Sequence, residues 1–336
     1  MDVSGPPRHT HIKRFFKWMF LLILLVAAYV GYCIWTAPKL SGKAIAQNQS
    51  TTEFLDANGK VFYSNDTMPL KKVSHAQFDR ARTMKNALLS VEDRDFYSET
   101  GTNPKRIAGA AYHDVRGMLG LGGNSLQGAS TLTQQLIKVS YFSTKAKDRT
   151  IKRKIQEIYL AERLNHEKSK DQILYAYFNK VYLGNGIHGM QTAAQYYFHK
   201  NVDQLNPVEA ATIAGMVQSP TYYDPYRRPK VTKERRNTVL YTMYDNHKLS
   251  KNEFKQDCLV PLKASMPTYR TQIDQLRNQK KQKLNNDYYV SAVNSQLRDV
   301  IGRDGNGAVM KIQTPFQPAI QQAVNDAINK QKFPSD

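Results

Sequence analysis

Glu92, in the run SVEDRDFY, stands ahead of two further polar runs: Gly128 to Lys138, reading GASTLTQQLIK, and Arg153 to Glu157, reading RKIQE. Between them they supply two carboxylates, a stripe of hydroxyls and amides, and three fixed cations, Lys138, Arg153 and Lys154. A carboxylate can take the proton of an attacking hydroxyl, while guanidinium and ammonium groups stabilise negative charge that grows on a departing oxygen. The set suits chemistry on a phosphorylated sugar.

These side chains need elements to position them. A helix from about Ser130 would set Ser130, Gln134 and Lys138 one above another, with Thr131 and Gln135 beside them and Leu132, Leu136 and Val139 turned inward. Ser130 is expected to open that helix, because its hydroxyl can accept an orphan backbone N–H, and such a terminus attracts phosphate. Taken alone, the segment reads as an amphipathic helix with a solvated polar face. Ile151 to Leu164 carries Ile151, Ile155, Ile158 and Tyr159 at helical spacing, with Arg153, Lys154 and Glu157 on the flank. Taken singly, Arg153 and Glu157 form a surface ion pair worth well under ~1 kcal/mol. The functional reading rests on the order and spacing of all three runs.

The chain of 336 residues holds 48 Lys and Arg against 28 Asp and Glu, a net charge of +20. That length allows one sizeable domain with extensions or two modest ones. The charge calls for an anionic partner: a lipid surface, a pyrophosphate, a wall polymer or nucleic acid. Trp18 to Trp35 is uncharged and mostly apolar, enough to span a bilayer with some tilt, and Lys13, Arg14 and Lys17 precede it. A buried helix is the competing reading. The span demotes nucleic acid, which is not expected as a partner. The apolar stretch exceeds the usual ~7 to 15 residues of a secretory core and no A-x-A-like site follows, so an uncleaved anchor is expected. The upstream cations place the N-terminal tail in the cytoplasm and everything after Pro38 outside. Cys33 would then lie in the membrane and Cys258 outside it, so no intramolecular disulfide is expected.

From Ser41 to Pro69 the chain is polar, and Asp56-Ala57-Asn58-Gly59 looks like a turn between short extended pieces of a stalk. Beyond it helical periodicity dominates, as in Ala81 to Val91, Asp171 to Leu183, Met190 to Phe198 and Val208 to Val217. Gly184 to Gly189 fits G-x-G-x-x-G, but without strand–helix alternation it is a turn and not a dinucleotide site. The histidines are scattered and show no H-E-x-x-H, so no structural metal is expected. Gly117, Gly120, Gly122 and Gly123, with Met118, Leu119 and Leu121, make an apolar loop that is either a connector or a segment dipping into the membrane interface.

In order and spacing the three polar runs resemble the motifs of the peptidoglycan glycosyltransferases, glycosyltransferase family 51, the polymerising domain of class A penicillin-binding proteins. The resemblance continues through ILYAYFNKVYLGNGIHGMQTAAQYYFHK and LNPVEAATIAGMVQSPTYYDPYRRP and ends in ERRNTVLYTMYDNHKLSKNEF, covering roughly Val73 to Pro261. It implies a mainly α fold: a lysozyme-like, two-lobed helical glycosyltransferase domain behind a single N-terminal transmembrane helix. The chain then divides into a cytoplasmic tail over 1–17, an anchor over 18–36, a stalk over 37–72, the glycosyltransferase domain over 73–261, and a linker with the incomplete start of a transpeptidase-type region over 262–336. The implied substrates are lipid II and the growing glycan strand, at an anionic bacterial cell membrane, with cell-wall synthesis proteins as further partners.

In the chemistry so implied, Glu92 is the general base for the 4-hydroxyl of the acceptor sugar, with Phe96 and Tyr97 lowering the local polarity and raising its pKa toward neutrality. Lys138, Arg153 and Lys154 hold the pyrophosphates. Glu157, the second catalytic carboxylate, orients these cations or holds a divalent ion, Mg2+ or Mn2+, although no ligand set in the sequence demands one. Asp93, Phe96, Gly128, Ser130, Thr131, Gln134 and Gln135 complete the substrate-binding side. Asn179 and Tyr182 are placed toward the glycan, with helix packing as the competing role. The family usually has His where this chain has Glu99 and Asn where it has Val139. Those departures bring another carboxylate near Glu92 and remove a polar contact near Lys138, leaving room for a weakened enzyme or a membrane scaffold. A glycan-cleaving hydrolase would also use a cleft carboxylate, but it has no need of the three cations. No S-x-x-K and no K-T-G occurs, so peptide cross-linking is not expected.

Overall fold

The computed structural model describes residues 8–46, 52–64, 71–103, 109, 130–142, 150–262, 289–290, 292–293 and 310–330. Gly128 and the glycine-rich run 117–123 lie outside them. Helix α1 (Arg8–Trp35) is, from Arg14, long and apolar enough to cross a membrane. Its residues 14–29 are all exposed. Its last turn behaves differently: Cys33 is fully buried, and its carbonyl accepts a hydrogen bond from Gln156 Nε2 at 3.0 Å. The same amide reaches Thr36 Oγ1 at 3.3 Å, and Lys152 Nζ lies 4.7 Å from the centroid of the Tyr32 ring. Cys33 is thus covered by protein at this end of the apolar helix.

After a short helix α2 (Gly42–Ala46), the segment read as a stalk carries two strands, β1 (Thr52–Leu55) and β2 (Val61–Ser64). They pair antiparallel around the expected turn, where Asp56 Oδ1 accepts from the N–H groups of Asn58 and Lys60, both at 2.9 Å, and Gly59 takes φ +79°. Only a residue tolerant of positive φ closes that turn cheaply. A third strand, β3 (Met310–Gln313), joins β1 in parallel from the far end of the chain and gives the order β2-β1-β3. The stacked rings of Phe62 and Phe316, 4.1 Å between centroids, cover this small sheet.

The rest of the described chain is helical. Helix α3 (His75–Arg80) opens on a Ser74–Gln77 capping box, and α4 (Arg82–Glu92) follows at once. Met84, Ala87, Leu88 and Val91 of α4 are buried, a stripe at three- and four-residue steps that must face a core. Then come α5 (Leu132–Tyr141), α6 (Ile151–Glu167), α7 (Lys170–Lys180) and α8 (Met190–Phe198). A 3-10 turn (Val202–Gln204), α9 (Pro207–Met216), α10 (Pro229–Asp245), α11 (Lys251–Leu259) and, beyond β3, α12 (Pro318–Lys330) complete the order. Val208 to Met216 of α9 is buried on every side, which makes α9 the central helix; α4 and α10 pack against it. The Gly184–Gly189 run is the expected turn, with positive φ at Gly184, Asn185, Gly186 and Gly189 and a bridge between Tyr182 and His188.

Two contacts fasten the segment after the anchor to the helices that follow. The Tyr141 hydroxyl accepts from the Ser41 N–H at 2.6 Å, and Lys180 Nζ donates to the Ala44 carbonyl at 2.6 Å. Burial pushes the Lys180 ammonium down to about 8 from an ordinary 10.5. Gly101, at φ +92°, packs so closely on α6 that an added Cβ would stand 2.6 Å from the Ala161 carbonyl oxygen.

Gly101→Ala is therefore expected to destabilise the protein by roughly 3 kcal/mol, from left-handed strain plus the backbone clash; an unchanged denaturant midpoint would refute this. For Lys180, the folded state binds fewer protons than the unfolded chain between about pH 8 and 10.5, so its contribution to stability rises with pH across that window. Denaturant melts of the parent and Lys180→Met at about pH 7.5, below that window, and about pH 9.5, inside it, should show the parent gaining on the variant at the higher pH.

Candidate active site

The site is built where the carboxyl end of α4 meets the amino end of α5. Asp93, the residue after α4, is buried, and its Oδ2 accepts the Leu132 N–H at 2.8 Å. Thr131 caps α5: its hydroxyl accepts from the Gln134 N–H at 3.2 Å and donates to the Gly101 carbonyl at 2.7 Å. The expectation of Ser130 as the helix start is thus corrected by one residue. Asp93 and Thr131, expected to bind substrate, also satisfy backbone groups that burial would otherwise leave without partners. The polar stripe is not a solvated face either, since Thr131 is fully buried and Gln134 only 1% exposed.

Glu92, the last residue of α4, has a side chain 12% exposed. Its Oε2 accepts from Gln135 Nε2 at 2.8 Å, and Gln135 Oε1 in turn accepts from the Tyr177 hydroxyl at 2.8 Å. Burial, with Glu92 and Asp93 nearby, pushes the Tyr177 phenol well up, so it remains a donor and fixes which way the Gln135 amide faces. On the other side, Arg235 Nη2 of α10 stands 4.0 Å from Glu92 Oε1.

Gln134, one residue earlier on α5, faces the cations. Its Oε1 accepts from Lys154 Nζ at 2.7 Å, and Ser130 Oγ accepts from the same ammonium at 2.8 Å. Arg153 Nε lies 3.0 Å and Lys154 Nζ 3.6 Å from the two carboxylate oxygens of Glu157. Glu157 has a side chain 5% exposed, so the expected surface ion pair is a buried one, in which removal of one partner leaves an uncompensated charge. Burial lowers the Lys154 ammonium from its ordinary value; Glu157 opposes the shift, while Lys138 and Arg153 add to it. Lys138 therefore belongs to the same electrostatic cluster. Positive charge gathered in a desolvated place is relieved by an anion.

Other expected site residues fall elsewhere. Phe96 is fully buried with Lys170 Nζ 4.6 Å from its ring centroid, and the exposed Tyr97 donates to Asp171 Oδ1 at 2.9 Å. Tyr97 is thus turned to the surface and does not screen Glu92 from water. Glu99 lies in the field of Lys170, whose ammonium is lowered by burial and raised in turn by Glu99 and Asp93. Val139 packs against the apolar core. Asn179 accepts the Val73 N–H at 2.7 Å and donates to the Tyr175 carbonyl at 3.0 Å, which is the packing role. Tyr182 is 39% exposed and faces the His188 ring, 5.0 Å between centroids.

Arg235 and Tyr177 carry no role in the sequence reading. The adjacent arginines of ERRNTVL give no hint that one turns to Glu92 while Arg236 donates to the Val260 carbonyl at 2.7 Å. As for a metal, Glu157 offers one carboxylate whose oxygens already face cations, and among the described residues no group of three or more His, Cys, Asp or Glu could hold an ion.

Comparison with known proteins gives a match of residues 60–244 to the transglycosylase family model. Penicillin-binding protein 1A of Streptococcus oralis is 33% identical over 332 residues, covering 96% of this chain and 49% of its own length. Its counterpart in Streptococcus pneumoniae is 32% identical over 330 residues, covering 96% and 44%. The chain thus spans about half the length of these relatives. A solved structure of penicillin-binding protein 1A from Haemophilus influenzae aligns over 84% of this chain and 29% of that one, at 19% identity and a TM-score of 0.43, too slight a likeness to carry an argument.

If the Asp93 carboxylate is the lock between α4 and α5, Asp93→Ala should lose roughly 2 to 3 kcal/mol of unfolding free energy, the usual scale for stranding a buried donor that had a charged partner. Asp93→Asn, which keeps an acceptor, should lose about half as much. Urea melts that place both variants at the parent midpoint would remove Asp93 from that role.

Proposed function

The chain belongs to the transglycosylase family, and from that footing we propose that it is a peptidoglycan glycosyltransferase, polymerising lipid II into β-1,4-linked glycan. The observation that carries the reading is the division between adjacent glutamines of α5. Gln135 holds a carboxylate, and Gln134 holds an ammonium of a three-cation cluster. A base and an anion-binding site are thereby presented from one helical turn, as displacement of a pyrophosphate from a sugar requires.

In the proposed reaction Glu92 takes the proton of the acceptor's 4-hydroxyl. That oxygen bonds to the anomeric carbon of the donor from the face opposite its pyrophosphate. The anomeric C–O bond breaks, its electron pair leaves with the polyprenyl pyrophosphate, and the α-linked donor becomes a β-1,4 linkage by inversion. Lys138, Arg153 and Lys154 meet the charge of the leaving group. Lys154 can exchange its bonds to Ser130 and Gln134 for phosphate oxygens without changing position greatly. Glu157 keeps Arg153 and Lys154 in place when no phosphate is present. No step is routed through a metal.

We further propose that α1 is a single membrane span with the N-terminus in the cytoplasm and the catalytic domain, over 73–261, outside. Arg14 and Lys17 before the apolar stretch support that orientation, and the net charge of +20 suits an anionic membrane surface.

The test is polymerisation of labelled lipid II by the detergent-solubilised protein beside Glu92→Gln, with products resolved by length. Long glycan is expected from the parent, and a rate lower by about 10² or more from the variant, the usual scale for a general base. Shortening of pre-made glycan would turn the reading to a hydrolase. A folded parent that makes no glycan would turn it to a scaffold.

A further inference from the structure

Arg235 is held by three contacts. Its Nε donates to the Gly215 carbonyl at 3.3 Å, its guanidinium lies 5.5 Å from the Tyr223 ring centroid, and its Nη2 stands 4.0 Å from Glu92 Oε1. The side chain is only 13% exposed. Gly215 makes this path possible: a Cβ there would stand 3.1 Å from Arg235 Cγ. A long cation buried and fastened in this way is in one fixed place relative to the carboxylate.

We propose that Arg235 is a positioning residue of the reaction, acting on Glu92 by charge alone to keep the carboxylate ionised and aimed while taking none of its hydrogen-bonding capacity. The inference rests on the reading of Glu92 as the base. A separation of 4.0 Å exceeds hydrogen-bond length, so the arginine contributes field without competing for the hydroxyl proton. An opposite charge at that distance favours the ionised carboxylate strongly where water is excluded.

Three other charged groups on elements packed against α4 are engaged elsewhere. Asp203 of the 3-10 turn pairs with Arg80 at 2.8 Å, Glu209 of α9 pairs with Lys200 at 2.8 Å, and Arg236 faces the carbonyls at the end of α11. Next to Glu92 along the chain, Asp93 turns to Leu132, while Tyr177 reaches Glu92 through Gln135. Arg235 is thus a cation facing the base, at 4.0 Å.

The experiment is the pH dependence of lipid II polymerisation for the parent, Arg235→Lys, Arg235→Gln and Glu92→Gln, with the apparent KM for lipid II and thermal unfolding measured alongside. A general base must be deprotonated, so the acid limb of the profile reports its titration. Removing the cation should raise that limb by about one pH unit in Arg235→Gln, roughly a tenfold loss on the acid side that is recovered at higher pH. The KM should be unchanged, and Arg235→Lys should keep its limb near the parent's. A raised KM with an unmoved limb would assign Arg235 to substrate phosphate. A uniform loss across pH, with lowered melting, would make it structural; either result overturns the inference. If the arginine variants fail to fold, Gly215→Ala displaces the same side chain with its charge retained, and an unmoved limb there overturns the inference equally. A parent that polymerises at no pH, or Glu92→Gln as active as the parent, overturns the base assignment and this inference with it.

Discussion

The hydrogen bond from the Leu132 N–H to the Asp93 carboxylate is the constraint on which the site depends. The first turn of a buried helix has backbone donors that cannot be met within the helix. Here one is met by Asp93 and another by Thr131, whose own hydroxyl is anchored on Gly101. Because Asp93 follows Glu92 directly, fixing the start of α5 against Asp93 also fixes it against Glu92. The rotation of α5 is then set. Gln135 meets Glu92, and Gln134, one residue earlier and so about 100° around the helix, meets Lys154. Substitution of Asp93 would act on stability and on both halves of the site at once.

The cation cluster poses a different problem, since positive groups must be held close together with no anion present. Glu157 offsets part of the charge from within α6, and Gln134 and Ser130 accept from Lys154 from outside it. Burial still lowers Lys154. The opposite flank of α6 is tied by Gln156 to the last turn of α1. The apolar helix and the helix that carries Arg153 and Lys154 are thus one packed unit, and the position of one constrains the other. Lys180 and Tyr141 fasten the following segment to α7 and α5 in the same manner.

What was legible in the sequence was local. Apolar spacing gave α4, α6, α8 and α9 to within a few residues, because a helix buries a stripe whose period is written in the chain. The residue types at Glu92, Gln134, Gln135, Arg153, Lys154 and Glu157 gave the clusters that the structure assembles. What the sequence left open shares one cause, the long-range partner. Asp93 and Asn179 are as suitable for a substrate as for a backbone N–H, and only the fold places Leu132 and Val73 against them. Ser130 and Thr131 can both cap a helix, and the Gly101 carbonyl decides for Thr131. The pairing of β1 with β3 joins segments some 250 residues apart, which no local pattern encodes.

Glu92 and Glu157 are the same side chain put to two uses, and the geometry distinguishes them. Glu157 lies within 3.0 and 3.6 Å of two cations, so its oxygens are engaged in holding Arg153 and Lys154. Glu92 is held on one oxygen by a neutral amide at 2.8 Å, while the nearby guanidinium is kept 4.0 Å from the other. A proton acceptor must be fixed in direction yet accessible to the hydroxyl it serves. An amide supplies direction at little electrostatic cost, and a cation one contact further out supplies the charge balance. Direct contact with that cation would compete with the incoming hydroxyl, and its removal would leave a buried carboxylate with less to hold it ionised. The spacing around Glu92 meets both demands, which is the physical ground on which we propose Glu92 as the base and Glu157 as the holder of the cations.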